Sequence, residues 1–297
     1  MIQRLASILV VLLIKIFSVI ANVCFPVIRI LIYILLYKIL QYRTTIVRIN
    51  LMTAFSNKSS YELKQIEKQF YKYFSVLITQ IIQSYTFNSK QVKKHIWLHH
   101  DAKQLIWELE KTNKPIFVVT SHFGNWELSV LLTALETKYQ TYGVYQKLSN
   151  PIIDEFVKKN RAKFGIQLVE TKFIKNNFSE LAKSRSMFCF VADQTPVVID
   201  KATQVNFFGI ETPFYSGYAQ LAQQADAIIL YATIQPINNT HFEIKLNEIT
   251  QNASTESLEK IVTAFADNLE QAIRKQPAYW LWTHRRWKRA GVQYYSK

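Results

Sequence analysis

Glycine and proline are scarce in this 297-residue chain, at six and seven residues, which excludes collagen-like and linker-like classes. There are two cysteines, Cys24 and Cys189, far apart and each inside an apolar run. They make neither a disulfide framework nor a cysteine-rich metal site, and a reducing compartment is the default. Acidic residues are also few: 21 Asp and Glu face 36 Lys and Arg, a net charge of +15. Charged residues make up only 19% against 49% hydrophobic, too apolar a balance for intrinsic disorder. No G-x-x-x-x-G-K-[ST] and no G-x-G-x-x-G occurs, so the phosphate loops of nucleotide-binding proteins are missing. H-E-x-x-H and G-x-S-x-G are absent too, which argues against a zincin and against the usual α/β serine hydrolase.

What remains is a chain long enough for one large domain or two small ones, with material for a sizeable core. The excess positive charge calls for nucleic acid, an anionic membrane face, or an acidic carrier or phosphorylated ligand.

The apolar residues separate these partners. Residues 1–40 are dominated by Ile, Leu and Val, but charges divide them into Leu5–Ile14, Ile16–Ile28 and Ile30–Tyr37. Each is shorter than the roughly 18 uncharged residues of a clean spanning helix. On a helical wheel, Arg4, Ser7, Lys15, Ser18, Asn22 and Arg29 fall within an arc of about 80°. The segment is therefore an apolar rod with one narrow polar stripe, interrupted at Pro26. We expect a membrane anchor over 1–40, either spanning with its stripe against protein or lying at the interface with its stripe toward headgroups. Lys38, Arg43 and Arg48 follow it, which favours a cytoplasmic side for the rest and offers a grip on anionic lipid.

Downstream, strand and helix patterns alternate. Asn57–Phe87 has helical spacing, with Ser59 or Ser60 as a cap. Pro115–Thr120 and Met187–Ala192 are short apolar runs suited to strands buried on both faces. Further strands are expected at Tyr142–Tyr145, Ile166–Val169, Ala227–Ile234 and Phe242–Ile249. Helices are expected at Asn125–Leu135, Pro151–Phe164, Ser216–Ala225 and Ser257–Lys275. This order predicts a single α/β domain over 41–297, its mixed, mostly parallel sheet flanked by helices. Leu40–Asn57 reads as the one linker.

The best-placed chemistry is Thr120-Ser121-His122-Phe123-Gly124-Asn125-Trp126-Glu127, at the end of a buried strand and the start of a helix. Sites form at that edge of open α/β sheets. A turn at Gly124, capped by Asn125, would let Glu127 reach back to an imidazole nitrogen of His122 as general base and orienter. The blander alternative is a strand-end histidine and a first-turn acid favoured by the helix dipole. Asp193 ends the second buried run, so adjacent strands would present His122 and Asp193 on one rim. Arg161 lies on a basic helix face with Lys158, Lys159 and Lys163, either solvated or able to clamp a phosphate. His99-His100-Asp101 reads as a solvated turn rather than a metal site. Trp280–Arg289 interleaves tryptophan with Arg and Lys, a pattern suited to a membrane interface or to nucleic acid, with the apolar segment favouring the membrane.

Four blocks in order resemble the late acyltransferases of lipid A biosynthesis, within the lysophospholipid acyltransferase superfamily. They are His122-Phe123-Gly124-Asn125-Trp126-Glu127; Tyr145 with Asn150-Pro151 and Arg161; Ala192-Asp193-Gln194 followed by Phe207-Phe208-Gly209; and Trp282-Thr283-His284-Arg285-Arg286-Trp287-Lys288. The resemblance covers essentially the whole chain. It implies an enzyme on the cytoplasmic side of a bacterial inner membrane, with no cofactor. The donor would be an acyl carrier protein thioester or acyl-CoA, and the acceptor a hydroxyl on a 3-hydroxyacyl chain of a lipid A precursor. His122 would be general base and Glu127 its partner, with Arg161 and Asp193 at further site positions. We add Arg285 and Arg286 as candidates to meet phosphates. Acyl carrier protein, a phosphorylated glycolipid and membrane lipids are the expected partners, and nucleic acid is not. Another acceptor within the superfamily (a lysophospholipid, an aminolipid or another envelope glycolipid) stays open. So does a non-catalytic lipid-binding protein using the same pocket.

Overall fold

In a computed structural model of the chain, which describes residues 2–182 and 185–294 with side chains from Ala6 onward, the apolar run at 116–120 becomes the middle strand of a seven-stranded sheet. The strands in chain order are β1 (Ile96–Leu98), β2 (Ile116–Thr120), β3 (Gln140–Tyr145), β4 (Gln167–Glu170), β5 (Ser186–Val191), β6 (Ala202–Phe207), β7 (Ile210–Tyr215), β8 (Ile228–Pro236) and β9 (Phe242–Thr250). Across the main sheet they run β1-β9-β8-β2-β5-β3-β4, and every pairing is parallel except β8 with β9. β6 and β7 form a separate antiparallel hairpin, which the sequence reading did not contain. The expected α/β domain with a mixed, mostly parallel sheet is what forms.

Alternation along β2 assigns its side chains to two layers. Phe117 and Val119 join the core beneath the helices Thr171–Leu181, Gly217–Gln224 and Leu258–Lys275. Val118 faces the other way, toward the helices His100–Leu109 and Trp126–Thr133. The chain leaves the end of β2 toward β3, beyond β5, and leaves the end of β5 toward β8, beyond β2. Two diverging connections open a crevice between adjacent strand ends, where ligand sites of open sheets arise.

The two helices whose caps were anticipated start there. Ser59 and Glu62 make a reciprocal capping box at the Ser60–Ser84 helix, and Asn125 accepts from the Leu128 amide at Trp126–Thr133. Other parts differ. Thr44–Ala54 is a helix rather than a linker: Val47, Asn50, Leu51 and Ala54 are buried, and Asn50 Nδ2 donates to the carbonyls of Trp282 and His284, both at 2.7 Å. His99 is the N-cap of a helix that begins at His100 rather than part of a free turn.

The tryptophan-rich segment departs furthest from expectation. Trp280, Trp282 and Trp287 are buried in the core, Trp280 and Trp287 against Phe207 and Trp282 against Phe55, not displayed to a membrane. Interface and core both want large apolar rings, so composition alone could not distinguish them. Lys38, Arg43 and Arg48 all stay exposed, but the two arginines are tied to the body, Arg43 to the Thr283 carbonyl at 3.0 Å and Arg48 to Glu67 at 2.9 Å.

Segment 277–287 acts as a strap across the end of β2. The Leu281 amide donates to the His122 carbonyl, and the Gly124 amide to the Tyr279 carbonyl, each at 3.0 Å. Gly124 has a φ of +60°, and a Cβ there would lie 2.4 Å from the Ile234 carbonyl oxygen. Both the left-handed backbone and the close approach require glycine. Gly124→Ala is expected to cost about 2–4 kcal/mol of unfolding free energy in a urea titration.

Candidate active site

In β2 and β5, Thr120 is paired with Val191, so two residues further along each strand lie His122 and Asp193. Their juxtaposition is a consequence of register. His122 Nδ1 stands 2.7 Å from Asp193 Oδ1, which also accepts the His122 amide at 3.1 Å. Asp193 Oδ2 accepts the Trp280 indole N–H at 2.8 Å. The carboxylate is only 2% exposed, and three N–H donors satisfy it. Burial raises its pKa, but the His122 charge and these hydrogen bonds outweigh burial and hold it below the usual carboxylate range.

A carboxylate accepts only, so Nδ1 carries a proton toward Asp193, and in the neutral imidazole it is Nε2 that has the lone pair. Gln194 Nε2 lies 3.4 Å from that second nitrogen. The Trp126 ring meets the imidazole edge to face, with centroids 4.9 Å apart. Asp193 thus takes the orienting place that sequence reasoning gave to Glu127.

Glu127 is engaged elsewhere. Arg161 donates to it through Nε at 3.0 Å and Nη2 at 2.5 Å, a two-pronged ion pair between two helices. Burial lowers the Arg161 pKa, but Glu127 more than compensates and the cation is reinforced. Beside the pair, burial pushes the Tyr85 hydroxyl up to about 12, aided by the Glu127 charge. The four residues His122, Asp193, Glu127 and Arg161 therefore form two pairs rather than one His–Glu dyad.

Both pairs border a cavity of about 810 Å³, lined by His122, Glu127, Arg161 and Gln194. Its floor is one face of the sheet. Val118, Cys189, Gly143 and Leu168 are register partners on four adjacent strands, and all four line it. Trp126, Ser129, Val130 and Thr133 form the opposite wall. Cys189 and Gly143 are small, which leaves a groove across the strands. Burial pushes the Cys189 thiol up to about 12, so it is a neutral wall and not a nucleophile. The rim is polar, with Lys147, Lys172, Lys175 and Lys201 along it and Glu136 and Glu170 among them.

Two expected phosphate contacts are not at this rim. Arg286 is completely buried, its guanidinium 4.1 Å from the Phe214 ring centroid and donating to the Pro213 carbonyl at 3.0 Å. Burial lowers its pKa to about 10. Arg285 is exposed but does not line the cavity. Their neighbour His284 is neutral, burial having lowered its pKa to about 4, and its Nε2 accepts the Thr195 amide at 3.0 Å. This motif therefore braces the turn after Asp193. His99, His100 and Asp101 lie close enough together to ligate a cation, but none of them lines the cavity.

Sequence reasoning singled out His122, Asp193, Glu127 and Arg161 and expected Glu127 at the imidazole, where the structure puts Asp193. It missed Trp280 as a donor to Asp193, a role no local pattern marks. The sequence model of the family described as bacterial lipid A biosynthesis acyltransferase matches residues 3–289. No curated protein matches the chain.

A carboxyl held below its unfolded value of about 3.9 contributes stability above that pH, and the contribution fades as pH falls through the folded value. The stability difference between the native protein and Asp193→Asn, from urea unfolding, is therefore expected to be constant above about pH 5 and to shrink below about pH 4.

Proposed function

The chain belongs to the bacterial lipid A biosynthesis acyltransferase family, and we propose that it transfers a fatty acyl chain from a thioester to a hydroxyl of a 3-hydroxyacyl chain on a lipid A precursor. The donor in this reading is acyl carrier protein or acyl-CoA, and the reaction runs on the cytoplasmic face of a bacterial inner membrane. One observation carries it: a histidine oriented by a buried carboxylate, its second nitrogen toward a cavity whose floor is apolar and whose rim is basic.

A hydroxyl is a poor nucleophile until a positioned base takes its proton in the transition state. His122 Nε2 takes that proton as the oxygen attacks the thioester carbonyl. Asp193 holds Nδ1–H and stabilises the imidazolium that forms. Collapse of the tetrahedral adduct breaks the C–S bond, and the imidazolium returns the proton to the departing thiolate. Arg161, held by Glu127 on the cavity wall, supplies positive charge for the developing oxyanion or the acceptor. The acyl chain lies in the groove over Cys189 and Gly143. Lys172, Lys175 and Lys201 meet the acceptor phosphates, in place of Arg285 and Arg286. The +15 charge also suits an acidic carrier protein.

Mass spectrometry of lipid products, with acyl carrier protein thioesters and a lipid A precursor, tests the assignment. His122→Ala is expected to lower turnover by about 10²–10⁴-fold with membrane association intact. Undiminished turnover would exclude the base. Asp193→Asn is expected to lower kcat with little change in KM for the donor, since it reorients the imidazole and touches no substrate. Cys189→Leu narrows the groove, and the same assay should show preference moving to shorter acyl chains, by about fourfold for each methylene denied burial.

A further inference from the structure

We infer that the N-terminal rod is a monotopic anchor, lying flat in one leaflet beside the cavity rather than crossing the bilayer. Ala6–Val23 is long and apolar enough to cross a membrane, yet only 17% of it is buried in the protein. Hydrogen bonds tie both of its ends to the body. Near the start, Ser7 Oγ accepts from Asn150 Nδ2 at 2.8 Å, at the cap of the Pro151–Ala162 helix that carries Arg161. Near the end, Gln83 Nε2 donates to the Ala21 carbonyl at 2.9 Å and Asn22 Nδ2 to Thr86 Oγ1 at 2.8 Å. Within the polar stripe Ser7 and Ser18 are buried against protein, while Lys15 and Asn22 are exposed at its edge, within reach of headgroups on a rod that lies flat. Arg4, another member of the stripe, has its side chain outside the described residues.

Beyond Cys24 the rod turns along a second body helix, Ser60–Ser84. Tyr37 stacks on Tyr71 with centroids 4.7 Å apart, and Tyr71 donates to the Tyr42 carbonyl at 2.5 Å. The apolar helices that follow, Phe25–Ile39 and Thr44–Ala54, are bent by 85° to one another and the second is built into the body, so they do not make a span either.

From Ser7 to Asn22 the helix rises about 22 Å. Crossing the bilayer would place its two anchor points near opposite faces of the hydrocarbon. The body helices bound to it would be drawn in as well, and they expose Lys64, Lys68, Lys72, Glu155 and Lys159. Each lysine at the bilayer centre costs about 2.5–3.5 kcal/mol. Lying flat, the rod presents Ile8, Leu12, Ile16, Val19 and Val23 to acyl chains and leaves the body in water. The Arg161 helix then stands beside the leaflet, and a lipid acceptor reaches the cavity without leaving it.

The inference rests on the membrane attachment in the proposed function, but its readout is depth and not turnover, so the two can fail separately. Single spin labels at Ile8→Cys, Leu12→Cys, Ile16→Cys, Val19→Cys and Val23→Cys, in full-length Cys24→Ser/Cys189→Ala protein, would be measured in vesicles of phosphatidylethanolamine and phosphatidylglycerol. Relaxation by oxygen and by a water-soluble nickel complex gives the depth of each. These positions share one face, so a flat rod puts all five at one shallow depth. A crossing helix would instead step by about 4.5–6 Å between neighbours and pass through the bilayer centre. That progression, or labels that show no immersion at all, would overturn the inference.

Discussion

A buried carboxylate with three N–H donors organises this molecule. Asp193 sits at the end of one parallel strand and His122 at the end of its neighbour, and the strand register brings them together. A charge taken out of water is tolerated only when its oxygens are satisfied. Two of the three donors belong to His122 itself, and the third is the Trp280 indole. The chain far from the site must therefore be in place before the site is complete. The strap at 277–287 supplies Trp280, grips the backbone at His122 and Gly124, and is itself held by Asn50 and Arg43 from the Thr44–Ala54 helix region. The segment that follows the N-terminal rod and the C-terminal aromatic cluster thus support one imidazole.

The second constraint is the division of the cavity. One face of the sheet supplies apolar side chains from successive strands, while the loops and helix starts at the strand ends supply charge. That gradient suits a molecule with a long hydrocarbon part and a polar, anionic head. The Glu127–Arg161 pair lies where the two regions meet. The helix that carries Arg161 also receives the N-terminal rod, through Asn150 and Ser7.

Much of this was legible in the chain alone. The apolar runs at 116–120 and 187–191, the capped helices and the polar stripe of the rod follow from periodicity, which burial imposes locally. His122 and Asp193 stood out because each ends a buried run, and the motif order pointed to the family. These are properties of single segments, and single segments record them.

Partner choice was decided only by the tertiary structure. Glu127 is five residues from His122 and Asp193 is 71, yet the closer acid in sequence pairs with Arg161 and the distant one with the imidazole. Strand register and crossover direction set that outcome, and neither is a local quantity. The same reason explains Trp280, Trp282, Trp287 and Arg286. A row of aromatic and basic residues satisfies a membrane interface as well as a core, and the choice depends on what the rest of the chain folds over it.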